Sequence, residues 1–105
     1  SDTAAFHTYG MMTEKLADIE SISEFEGRPQ NTAAYLAKTP AGPVVIAWST
    51  TSEQTVSFPT QWPAARVTQI VTDRTKPIPV STIEKAAGGK ISLKLSGRPV
   101  FLERE

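Results

Sequence analysis

One histidine, three neighbouring glutamates and two tryptophans are the side chains of this 105-residue sequence whose types suit chemistry. His7 follows Phe6 near the start. A histidine that activates a nucleophile needs a serine or cysteine beside it and a carboxylate to orient it. The sequence has no cysteine and no glycine-flanked serine elbow. His7 is therefore read as a structural or surface side chain. A metal centre built on one histidine without thiolates needs several convergent carboxylates. The acidic residues here are scattered, and no calcium-loop spacing of Asp and Asn occurs. No metal and no cofactor is expected.

Glu20, Glu24 and Glu26 share one face of a predicted strand, with Ile22 between them. Paired carboxylates are what glycosidic bond cleavage uses. The stronger reading is a solvated strand edge, where charges oppose edge-to-edge pairing. Trp48 lies in the most apolar stretch and is expected in the core. Trp62 sits in the loop Pro59-Thr60-Gln61-Trp62-Pro63, where an exposed indole can stack on a sugar ring. Packing back onto the domain is the stronger reading there too. Trp62 is the single candidate for substrate contact, and no catalytic residue is assigned.

The elements that must position these residues fall into two parts. Phe6, Tyr9, Met12, Leu16 and Ile19 recur at helical spacing. They predict a lead-in helix within residues 1–19, capped by Asp2 or Thr3. Gly10 inside it costs roughly 1 kcal/mol against alanine, so this helix depends on docking. From residue 20 to 105 the pattern is short β segments between turn residues, which predicts an antiparallel β-sandwich of about eight strands. The expected strands are 20–26, 32–38, 44–50, 54–58, 66–72, 80–85, 90–95 and 100–103.

Alternation places Ile91, Leu93 and Leu95, and likewise Val56 and Phe58, on an inward face. Val44-Val45-Ile46-Ala47-Trp48 is apolar on both faces and reads as a central strand. Its expected core side carries Val44, Ile46 and Trp48, with Val45 and Ala47 under a docked helix. Gly88-Gly89 suits a two-residue turn that requires positive φ, not a phosphate cradle, because strand patterns flank it on both sides. Ala41-Gly42-Pro43 punctuates another turn. Pro77 and Pro79 confine their stretch to a loop or a sheet edge.

The bulk composition narrows the function classes. Eleven basic residues balance eleven acidic ones, so no long-range field favours nucleic acid or anionic lipid. The longest apolar run has five residues, 44–48, far short of the roughly 20 needed to span a bilayer as a helix. No signal-peptide pattern opens the chain. Lack of cysteine excludes disulfides but leaves the compartment open, a secreted or periplasmic one included.

Taken in order, the amphipathic lead-in, a strand hairpin, Pro43-Val44-Val45-Ile46-Ala47-Trp48-Ser49, Val56-Ser57-Phe58, Val67-Thr68-Gln69-Ile70-Val71-Thr72-Asp73 and the closing Ile91-Ser92-Leu93-Lys94-Leu95-Ser96-Gly97-Arg98-Pro99-Val100-Phe101-Leu102 resemble the C-terminal β-sandwich of (β/α)8-barrel glycoside hydrolases. The pattern departs from that family at Arg74-Thr75-Lys76, where a turn glycine is common, and at Phe101, where an aromatic hydroxyl is common. The resemblance implies that residues 3–19 are the last barrel helix. It also implies that both catalytic carboxylates lie on a barrel outside this chain. The function it implies is a non-catalytic accessory domain whose partner is that catalytic barrel. An autonomous carbohydrate-binding module using Trp62, or an extracellular interaction domain, is the alternative.

Overall fold

The computed structural model describes residues 18–73 and 76–105, and these form eight strands. In chain order they are β1 (Ser21–Glu24), β2 (Thr32–Thr39), β3 (Gly42–Ser49), β4 (Gln54–Pro59), β5 (Ala64–Asp73), β6 (Lys76–Lys85), β7 (Lys90–Leu95) and β8 (Val100–Arg104). All pairings are antiparallel. Six strands make one sheet in the order β1-β2-β3-β8-β5-β6, and β4 with β7 makes a two-stranded sheet. The expected lead-in helix and His7 lie outside the described residues, apart from Ile19, which is exposed.

The small sheet presents Val56 and Phe58 of β4 with Ile91, Leu93 and Leu95 of β7, all buried. Their alternation with exposed Ser57, Ser92 and Lys94 is the expected one-face-wet pattern. They share one apolar cluster with Ala34, Val45, Ala47, Ala65, Val67, Val100 and Leu102 of the large sheet. We call this side of the large sheet its near face. Pairing aligns Leu36, Val45, Leu102 and Val67 in a single row across four strands of it.

Here the structure reverses an expectation. Val45 and Ala47 face the small sheet, while Val44, Ile46 and Trp48 point to the opposite, far face. An alternation apolar at every position fixes that a strand is buried on both sides. It carries no sign that tells one side from the other. Trp48 accordingly does not fill the space between the sheets. It is half-buried on the far face and stacks on Tyr35, with ring centroids 5.8 Å apart and planes at 29°.

Turn chemistry matches the residues that carry it. Gly88 and Gly89 have φ of 61° and 75°, and Ala87 and Lys90 exchange backbone hydrogen bonds of 2.8 and 3.2 Å around them. The turn is the expected tight one, yet β6 and β7 then diverge into different sheets. β6 is an edge strand, which is where prolines two apart are tolerated, since alternate N–H groups there have no strand to bond. β1 is shorter than expected. It ends at Glu24, and Phe25 packs edge-on against Phe58, centroids 5.8 Å apart at 70°.

Phe58 is fully enclosed between the sheets, so Phe58→Ala is expected to cost about 3–5 kcal/mol in urea unfolding. Its exposed neighbour Ser57→Ala should stay within about 0.5 kcal/mol of the parent. Equal effects at the two positions would contradict the described core.

Candidate functional site

Two strands cannot cover six. Where the small sheet stops, the near face of the large one is left open, and a cleft of about 470 Å³ forms there. Its floor is Leu36, Val45 and Leu102 from the row described above, and its roof is the paired Phe58 and Ile91. Phe25, Glu26 and the loop carrying Thr60, Gln61 and Trp62 line the rest.

Backbone bonds hold that loop. Thr60 N–H donates to the Gly89 carbonyl at 2.9 Å, and Ala86 N–H donates to the Pro63 carbonyl at 2.9 Å. The Trp62 N–H donates to Thr60 Oγ1 at 3.0 Å. The loop around Trp62 is thus clamped to the β6–β7 connection at both of its ends. Trp62 is half-buried and packs against the inter-sheet cluster. It takes the expected packing position while also lining the cleft.

The glutamates separate. Glu20 and Glu24 remain exposed along β1, and Glu24 is paired with Tyr35 on the far face. Glu26 bends away with the turn and lines the cleft with Trp62. One carboxylate is too few for the acid and base pair of glycosidic hydrolysis, and Glu26 is the single carboxylate among the described cleft residues. Among the described residues no group of three or more His, Asp or Glu side chains converges as metal ligands do. Chemically, the cleft offers apolar and aromatic surface with a rim of one carboxylate, one amide and one hydroxyl.

The turn that delivers Glu26 is built on Gly27, at φ 82°, and Asn31, at φ 60°. Arg28 Nη1 donates to the Thr32 carbonyl at 2.7 Å, and the Thr32 hydroxyl donates to the Pro29 carbonyl. A Cβ on Gly27 would lie 3.1 Å from Pro59 Cγ, so a side chain here would press on the Pro59 ring at the end of β4 as well as strain the left-handed backbone. Sequence reasoning assigned neither Phe25 nor Glu26 to a site. The local signal for both was Gly27 immediately after Phe25-Glu26, a glycine that marks a turn at the strand end.

A second surface feature lies at the other end of β5. Val71, Ile78 and Val80 are 38%, 39% and 46% exposed, and register puts them on the near face beyond the small sheet. A groove beside them is lined by Gln69, Arg98 and the Glu53–Lys94 ion pair, whose Nζ···Oε1 distance is 3.2 Å.

Gly27→Ala is expected to destabilise by about 1 kcal/mol or more, through its left-handed φ and the approach to Pro59. Glu26→Gln, on an exposed side chain, should stay within about 0.5 kcal/mol. Chemical denaturation of both variants checks this, and a neutral Gly27→Ala would contradict the turn geometry.

No family model and no curated protein matches this chain. Among solved structures it is similar to a 4-O-α-L-rhamnosyl-β-D-glucuronidase from Fusarium oxysporum 12S, determined as a Rha-GlcA complex. The two superpose with a TM-score of 0.57 at 15% identity, over 88% of this chain and 27% of that one. At that identity the likeness is one of fold. This chain spans about a quarter of the enzyme's length.

Proposed function

We propose that this chain is a non-catalytic accessory β-sandwich domain of a glycoside hydrolase, packing on and stabilising a catalytic domain elsewhere in the parent polypeptide. The observation that carries this reading is the coverage asymmetry: nearly all of this fold corresponds to a minor part of a glucuronidase. The cleft chemistry is consistent with it, because a single carboxylate lines the cleft. The near-face patch of Val71, Ile78 and Val80 is suited to contact with a neighbouring domain, since side-by-side apolar residues at a strand end seek cover.

A second reading is favoured by one specific arrangement. Trp62, Gln61 and Glu26 line the same cleft, and an indole beside an amide and a carboxylate is a combination that binds carbohydrate through stacking and hydrogen bonds. In that case the chain is a sugar-binding module in its own right.

The two readings separate experimentally. For the accessory domain, Val80→Asp in the parent polypeptide should lower its melting temperature by roughly 2–4 °C for each kcal/mol of lost packing. The same change in this chain alone should be nearly silent. Turnover of aryl glycosides by the isolated chain, or an unchanged melting temperature in the parent, overturns the accessory reading. For the sugar-binding module, titration with soluble polysaccharides should give saturable binding that Trp62→Ala abolishes. Binding indifferent to that substitution removes this second reading.

A further inference from the structure

The cleft beside Trp62 carries a charge that nothing described around it neutralises. Glu26, Gln61 and Thr60 are its polar lining side chains. The Glu26 carboxylate is exposed and has no ion-pair or hydrogen-bond partner among the described residues. The basic side chains nearest to it are placed elsewhere. Arg28 Nη1 is committed to the Thr32 carbonyl at 2.7 Å. Lys90 pairs opposite Pro59 but lies on the solvent side of β7, since its neighbour Ile91 faces inward. Lys38 and Arg104 are exposed one near-face position beyond Leu36 and Leu102, outside the lining. No lysine or arginine is among the described residues that line the cleft.

Hydrogen-bonding capacity points the same way. Thr60 Oγ1 already accepts from the Trp62 N–H at 3.0 Å, so what it has left to offer a ligand includes its hydroxyl proton. The Gln61 amide both donates and accepts, whereas the Glu26 carboxylate only accepts. A sugar hydroxyl is donor and acceptor at once and satisfies all three. A ligand carboxylate is an acceptor alone: it can take bonds from Thr60 and Gln61, but it gives Glu26 nothing and repels it. The indole makes no such distinction, because a neutral pyranose and its uronate present the same apolar ring face for stacking.

We propose that the cleft takes a neutral pyranose and rejects the corresponding uronate, with Glu26 as the residue that discriminates between them. This rests on the sugar-binding reading, in which Trp62 supplies the stacking surface. Affinity and charge selectivity are then carried by different side chains and can be separated by substitution. Because Glu26 is exposed, the repulsion is partly screened. It weakens a uronate by about fivefold in Kd at low salt, and the gap narrows as ionic strength rises.

The probes are a soluble glucan, mannan and galactan, each used neutral and after oxidation of its C6 hydroxymethyl groups to carboxylates. Binding to the full chain is titrated by calorimetry, and amide shifts in NMR locate it. Expected is saturable binding of at least one neutral probe, with shifts at Glu26, Gln61 and Trp62, and about fivefold weaker binding of its oxidised form. Glu26→Gln should bring the two forms to within about twofold of each other while Trp62→Ala abolishes binding of both. An oxidised probe that binds the parent as tightly as the neutral one overturns the proposal and leaves the sugar-binding reading standing. So does a preference for the neutral form that Glu26→Gln leaves unchanged. Shifts confined to the Val71 and Val80 end of the domain, or no binding of any probe, overturn the proposal together with the reading it rests on.

Discussion

Burial of β3 on both faces is the constraint on which the remaining structure depends. Val45 and Ala47 are held between the two sheets, and Val44 and Ile46 are enclosed on the far side. Such a strand stabilises only if neighbours satisfy its backbone on both edges and layers cover both faces. Its partners β2 and β8 do the first, pairing it over residues 42–49 and 44–47. β8 then bridges to β5, so the last strand of the chain joins the two halves of the large sheet. Phe101, between Ile46 and Thr68 in the register, is the side chain at that seam.

The near face carries a different constraint, set by unequal sheet widths. Four strands of the large sheet contribute Leu36, Val45, Leu102 and Val67 in one row, and a pair of strands covers them incompletely. The uncovered end becomes the cleft, and Trp62 and Phe25 partly close it. Polar groups are kept satisfied at the margins: Gln54 Nε2 donates to the Asn31 carbonyl and to Ser49 Oγ, and Ser49 Oγ donates to the Ser52 carbonyl at 2.6 Å. Thr68 and Ser81 share a hydroxyl contact of 2.8 Å at the far face. Among the described residues no buried side-chain nitrogen or oxygen lacks a partner, which avoids the desolvation cost of an unpaired polar group.

Local signals in the sequence located all eight strands, because alternation such as Ile91-Ser92-Leu93-Lys94-Leu95 is written in the segment itself. The facing of β3 was not legible, since a strand apolar on both sides looks the same from either. Gly88-Gly89 specified its turn but not the fate of the flanking strands: left-handed φ is a local demand, whereas pairing of β7 with β4 and of β8 with β3 and β5 depends on distant residues. For the same reason the cleft was half visible. Trp62 was identifiable as an aromatic in a proline-flanked loop. Glu26 was grouped with Glu20 and Glu24 by parity, and the turn at Gly27 removes it from them.

The cleft and the patch lie toward opposite ends of β5, whose ten residues span roughly 30 Å. Their chemistries differ in a way that bears on function. The cleft is concave and walled by the domain's own Phe25 and Trp62, and its volume of about 470 Å³ is in the range of small-molecule pockets. The Val71, Ile78 and Val80 surface lies on an edge hairpin, with open sides and no aromatic residue among those three, which suits a broad protein face better than a sugar ring. A domain that packs on a neighbour through the hairpin end leaves the Trp62 end free. The accessory and sugar-binding readings are then compatible in one molecule, because each draws on a different end of the same strand.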